Sequence, residues 1–237
     1  MTTAAIHPPG ENRILAILPR EALARLQPHL EPVALAFRER LYAPNEPISQ
    51  VYFPCSAVFS LILPLEAGTA VEVATVGNEG MLGLPAFLGA GSIPGEAFCQ
   101  VPGQALRLGA QILRQETAGG GPLHDVLLRY TQGLMNQISQ SAACNRAHSI
   151  DERCARWLLM THDRAGSDRF PLTQEFLAQM LGVRRAGVSA AASILQRAGF
   201  IRYSRGRMTI ADRSGLESAA CGCYRIVRDE FERLLRP

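Results

Sequence analysis

The sequence predicts an α+β chain in which a β-rich half precedes a helical half, and three observations carry that prediction. Short β-branched and aromatic runs, punctuated by Gly, Pro and Asn, fill residues 33 to 108. Past a glycine-rich break at residues 119 to 122, apolar residues recur every three or four positions. The last third ends in two short amphipathic segments joined by a glycine and followed by two short β-rich runs. With 237 residues and 47% hydrophobic content, the chain can build two packed domains.

The elements follow in order. Residues 1 to 10, MTTAAIHPPG, read as a disordered tail. Asn12 to Leu30 carries Ile14, Leu15, Leu18, Leu23 and Leu26 on two helical pieces broken at Pro19. The runs VALAF, SQVYFP, AVFSLIL and AVEVATV have the length and spacing of strands in a sandwich or roll, so residues 11–119 are assigned to an N-terminal β-roll. Leu123, Leu127, Tyr130, Leu134 and Ile138 then form one apolar stripe on a helix longer than most globular helices. Such a stripe fits a helix packing on its own copy, and residues 120–150 are assigned to dimerisation; the alternative is that the stripe lies on the β-domain. A further helix, Asp151 to about Ala165, turns Cys154, Trp157 and Leu158 inward.

In FPLTQEFLAQMLGV, Thr173 stands where an N-cap belongs and Phe176, Leu177, Met180 and Leu181 share a face. Gly182 follows where a left-handed C-cap is needed. The next helix starts near Arg184, buries Val188, Ala191, Ala192 and Leu195, and ends at Gly199. FIRYSRGRMTIA reads as two strands around a turn at Arg205 and Gly206. Together these make residues 151–213 a winged helix-turn-helix, with 214–237 a helical extension.

Charge points to the partner of that domain. All 24 basic residues are arginine; 9 of them face 11 acidic residues up to Ile150, and 15 face 10 beyond it, so the net charge turns from −2 to +5. Between Arg184 and Arg213, seven arginines face only Asp212. A basic patch on a nearly neutral chain suits a polyanion. The buried stripe of the second helix leaves Arg184, Arg185, Ser189, Ser193, Gln196 and Arg197 outward, while small residues at 186, 187, 190 and 191 keep the helix slim enough for a major groove. The phosphate candidates are Arg184, Thr173, Arg205 and Arg207.

The stretch LTQEFLAQMLGVRRAGVSAAASILQRAGFIRYSRGRMTIAD resembles the DNA-binding domain of the Crp/Fnr family of bacterial transcription regulators, and IDERCARWLL resembles the segment joining that family's long dimer helix to it. The resemblance spans roughly residues 12 to 213 and is strongest in the last third. It implies a cyclic-nucleotide-binding-like roll, a homodimer, a palindromic double-stranded DNA operator, and RNA polymerase as a candidate partner. In that family the recognition helix usually opens with Arg then Glu, with another Arg one turn later. Here Arg185 holds the first position, and Ala186 and Ala190 hold the others. Arg185 is therefore the candidate for a bidentate guanine contact, and the family's usual half-site is not carried over.

In the sensory half, the resemblance places Asn78, Glu79 and Gly80, then Gly95 and Glu96, at the family's effector pocket. Where a phosphate-binding Arg is expected the chain reads Pro94 to Ala97, and no arginine lies between Arg40 and Arg107. A cyclic phosphate would lack its strongest contact, so cAMP and cGMP are not expected as effectors; another small ligand, or none, fits better. No N-terminal cysteine cluster is present for an iron–sulfur centre, whereas haem stays open through His29, His124 or His148. Cys55, Cys99, Cys144, Cys154, Cys221 and Cys223 show no CxxC pairing, so no metal site or disulfide framework is expected. Cys221 and Cys223 would point about 200° apart on a continuous helix. With no charged-then-apolar leader and no apolar run near ~20 residues, a soluble cytoplasmic protein is expected. No nucleophile–base set or phosphate loop suggests an enzyme. The rival reading is a ligand-binding signalling module whose helix-turn-helix makes protein contacts.

Overall fold

The computed structural model describes residues 11–65 and 70–236; the tail expected over residues 1 to 10 lies outside them. Helix α1 (Arg13–Ala16) is capped by Asn12, whose side chain accepts from the Leu15 amide at 3.3 Å, and Pro19 separates it from α2 (Arg20–Leu26). The roll then runs β1 (Glu31–Leu35), β2 (Arg40–Tyr42), β3 (Gln50–Pro54), β4 (Val58–Pro64), β5 (Ala70–Val76), α3 (Leu84–Leu88), β6 (Glu96–Val101) and β7 (Gly103–Gly109). Its antiparallel strands form two sheets, ordered β1-β7-β3 and β2-β6-β4-β5. Val51, Phe53, Phe59, Ala97 and Leu108 are fully buried in the core.

Helix α4 (Ala110–Thr117) leads into α5 (Pro122–Ala147), the 26-residue helix that the spacing predicts. Its stripe is not a free dimer seam, contrary to expectation: Leu123, Leu127, Tyr130 and Leu134 are buried within the chain, and only Ile138 is exposed. Two neighbours cover it. Gly80 lies so close to the Tyr130 ring that a Cβ would collide with it, and Gly133 leaves room for the Phe231 ring in the same way. The large apolar side chains left outward on α5 are Leu128, Met135 and Ile138, 48%, 58% and 38% exposed.

Helix α6 (Ile150–Ala165) starts with a reciprocal cap between Ser149 and Glu152. Strand β8 (Arg169–Pro171), α7 (Gln174–Leu181), α8 (Arg185–Arg197), β9 (Ile201–Ser204) and β10 (Arg207–Ile210) follow, with the three strands ordered β8-β10-β9. The domain is docked on the roll through Phe176, whose ring lies 5.7 Å from those of Phe37 and Phe98 and 6.5 Å from Trp157.

The C-terminal extension is not one helix. It breaks between α9 (Arg213–Ala219) and α10 (Cys223–Leu234), and α10 packs along α5, where Arg129 donates to the Leu234 carbonyl at 3.0 Å and Asn136 to Glu230 at 2.8 Å. The break overturns the expectation that Cys221 and Cys223 diverge. Both turn toward Cys144 of α5 and His148 just past its end, so the expectation of scattered cysteines without metal-ligand geometry is corrected as well.

Candidate nucleic-acid interface

The helix-turn-helix is held by local chemistry. Thr173 Oγ1 accepts from the Phe176 amide at 3.1 Å to start α7, and Gly182, at φ 63°, supplies the left-handed residue that ends it. Arg184 occupies the N-cap of α8 without a side-chain cap bond, so the first-turn amides of α8 keep no side-chain acceptor. Amides in that state bind anions well. Arg184 and Arg185 are both exposed, and neither forms a side-chain hydrogen bond or ion pair with any described residue.

The other outward residues of α8 are partly engaged. Ser189 donates to Gln174 Oε1 at 2.6 Å, and Ser193 donates to the Ser189 carbonyl at 2.7 Å. Each hydroxyl has one proton, so in the free protein these two serines offer a partner only lone pairs, which a phosphate cannot use. The two outward serines named as DNA-binding candidates are thus engaged within the domain in the free protein. Gln196 Oε1 accepts from the Tyr203 amide at 2.8 Å, and the Tyr203 hydroxyl accepts from the Gln174 amide at 3.1 Å, which ties both helices to the wing. Thr173 likewise has its oxygen committed to its own helix.

The wing turns through Arg205 and Gly206 with φ of 49° and 73°, the two positive values that a tight hairpin loop requires. The Leu172 amide donates to the Gly206 carbonyl at 2.9 Å, so the wing tip sits beside Thr173. Arg205 and Arg207 border a basic groove together with Arg169 and Arg202, two residues absent from the sequence-derived site. Arg202 falls within the charge skew already visible in the sequence. Arg169 needed β8, whose three residues carry no periodic signal.

The candidate effector residues are spent inside the protein. Glu79 is 5% exposed and accepts from Arg164 Nε at 2.8 Å; the same guanidinium donates to Gln137 Oε1 at 2.9 Å and to the Met160 carbonyl at 2.9 Å. Gln137 in turn donates to the Thr75 carbonyl at 2.9 Å. The cation absent from the roll is thus supplied by α6, and it pairs with Glu79 rather than standing free for a phosphate. Asn78 and Gly80 offer their carbonyls to Arg13 N and Asn12 Nδ2, at 2.7 and 2.8 Å. Gly95 packs on the Ile62 carbonyl and Glu96 begins β6, paired to β4. The expected pocket is therefore not assembled by these five residues. A cavity of about 30 Å³ remains where β5, α5, α6 and α7 meet, enough for a water but not a nucleotide.

Residues 152–219 match the family model of the Crp-like helix-turn-helix domain. No curated protein sequence matches the chain. Among solved structures, a protein assigned to the crp/fnr family of transcriptional regulators from Eubacterium rectale is 17% identical, with 88% of this chain and 99% of that one covered and a TM-score of 0.67. FixK2 from Bradyrhizobium japonicum is 18% identical over 81% and 98% of the two chains, with a TM-score of 0.68. A CRP-family transcriptional regulator from Thermus thermophilus is 20% identical over 79% and 96%, with a TM-score of 0.66. At these identities the likeness establishes the fold. No described helix is long and apolar enough to cross a membrane.

Proposed function

We propose that this chain, a transcription regulator of the Crp/Fnr type, binds a palindromic double-stranded DNA operator as a homodimer and needs no cyclic nucleotide to do so. The observation that carries the reading is the pair of unpartnered arginines, Arg184 and Arg185, at the uncapped start of α8 beside a wing of four more. Arg185 reads a guanine edge, while Arg184, Arg205 and Arg207 grip phosphates with support from Arg169 and Arg202. The outward face of α5, with Leu128, Met135 and Ile138 spaced by seven and three, supports pairing with a second copy. The Glu79–Arg164 pair, which commits the nearby cation to a carboxylate, supports independence from a cyclic phosphate.

The test is selection of bound sites from random duplexes by the purified, ligand-free protein, followed by anisotropy on the winning site across salt concentrations. The expected result is a palindrome with half-sites about 10 bp apart, bound with steeply falling affinity as salt rises. Absence of enrichment together with salt-insensitive binding would sink the reading and favour a signalling module that contacts proteins.

A further inference from the structure

Four donors meet where the long helix ends. Cys144 lies in the last turn of α5 and His148 is the residue that caps its end, and the break between α9 and α10 presents Cys221 and Cys223 to them. All four ligand atoms lie within 4.8 Å of one another. Cys144 Sγ is 3.5 Å from Cys221 Sγ, and Cys223 Sγ is 3.6 Å from His148 Nδ1. A zinc ion at ordinary bond lengths in tetrahedral geometry would set these edges at about 3.8 Å between sulfurs and about 3.6 Å from sulfur to nitrogen. The three sulfurs are buried and form an apolar cluster of their own, separate from the main core.

The surroundings suit an anionic thiolate centre. Gln140 Nε2 donates to Cys223 Sγ at 3.0 Å, the kind of outer hydrogen bond that orients a metal ligand. Arg153 and Arg156 of α6 are 8% and 7% exposed, and each buries an Nε without a hydrogen-bond partner among the described residues. Three thiolates, one imidazole and a divalent ion sum to one negative charge, which these guanidiniums offset.

We propose that Cys144, His148, Cys221 and Cys223 bind one Zn²⁺ ion per chain and that this ion pins the α9–α10 junction to the end of α5. The inference does not depend on the DNA-binding reading. A two-iron cluster would need a wider cage than donors this close provide, and soft sulfur with imidazole in a four-coordinate set selects zinc over the hard cations. A Cys144–Cys221 disulfide would need the sulfurs at ~2.05 Å and would leave Cys223 and His148 without a role. The pinned point matters because His148 and Ser149 are the only residues between α5 and α6, through which the roll and the helix-turn-helix are joined.

The experiment uses the full chain expressed with added zinc and purified without air. Elemental analysis should find one zinc per chain. Cobalt titrated into the stripped protein should give the sulfur-to-cobalt charge transfer and strong visible bands of a four-coordinate thiolate site. The double variant Cys144→Ser/Cys221→Ser should lose the metal while keeping its far-UV circular dichroism, and Cys55→Ser, outside the cluster, should retain it. Gln140→Ala should bind roughly 10–100-fold more weakly. A chelator should lower the melting temperature of the parent and leave that of the double variant unchanged. A parent that carries no more zinc than the double variant, a cobalt spectrum without sulfur charge transfer, or a melting temperature indifferent to the chelator would each overturn the proposal.

Discussion

The first turn of α8 and the glycine-flanked loop after β5 both carry charged residues at positions that the sequence marks for ligands, and the structure treats them in opposite ways. Arg184 and Arg185 are exposed and unpartnered; Glu79 is buried against Arg164, with every nitrogen of that guanidinium engaged. One region holds its charge in reserve for something outside the chain. The other has turned a ligand-type position into a joint between the roll, α5 and α6. Sequence alone gives both the same polar signature, so what separates a binding site from a brace is whether the polar group already has its partner.

The largest effect should come from breaking the brace. Arg164→Ala leaves the Glu79 carboxylate buried without its cation, and removal of one partner of such a pair costs ~3–5 kcal/mol. Urea denaturation should show that loss. A change below about 1 kcal/mol would mean the pair is not a structural joint, and the loop would return as an effector site.

A second, half-buried carboxylate on the same seam gives a pH signature. Ser60 lies 2.6 Å from both Glu72 and Gln100 Oε1, yet its hydroxyl has one proton to give. A protonated Glu72 that donates to Ser60, while Ser60 donates to Gln100, satisfies all three, and Trp157 Nε1 donates to the other carboxyl oxygen at 2.7 Å. Burial, offset in part by the Ser60 and Trp157 hydrogen bonds, pushes the Glu72 carboxyl up from 4.5 to about 7. The folded state thus holds this proton more tightly than the unfolded chain. Its stabilising contribution is complete below pH 4.5 and is lost as pH rises through 7, about 3 kcal/mol in all. Glu72→Gln, an isostere of the protonated acid, should flatten that part of the stability–pH curve and be more stable than the parent at pH 8. An unchanged slope between pH 4.5 and 7 in the variant would refute the protonated assignment.

The same contrast explains what could be read in advance. The helix-turn-helix was legible because its determinants are local: Thr173 caps within three residues, Gly182 and Gly206 sit where positive φ is needed, and Val188 to Leu195 repeat at helical spacing. The stripe on α5 was visible too, but periodicity reports that a face is buried, not what buries it, and the covering residue Phe231 lies about a hundred positions away. The Glu79–Arg164 pair and the Cys144, His148, Cys221, Cys223 cluster span 85 and 79 positions, and no spacing rule joins them. The break at residues 220 to 222 carries one local signal, Gly222, too weak by itself to divide a helical extension over 214–237.

On the reading side, Arg185→Ala should relax preference at one base pair in each half-site, worth ~1–3 kcal/mol of discrimination, while other positions keep theirs. Comparison of affinities for the selected operator and for single-base variants of it checks this. If discrimination is intact at every position, Arg185 does not read a base, and the analogy between its free state and a reading role fails.

The smallest effect, and the one that best separates charge from recognition, belongs to the wing. Arg205 stands at φ 49°, a left-handed conformation that an arginine adopts at a cost, and its side chain makes no described ion pair. Replacement by Asn suits the backbone better and removes only the charge. Arg205→Asn should therefore weaken binding to specific and random duplexes by the same factor, reduce the slope of log affinity against log salt by about two for a dimer that carries two copies, and leave folding stability equal or slightly raised. If binding to the operator weakens more than binding to random DNA, the wing reads sequence or shape rather than phosphate. If neither changes, Arg205 is an exposed arginine that touches nothing, and the contrast between reserved and committed charge then holds for the recognition helix alone.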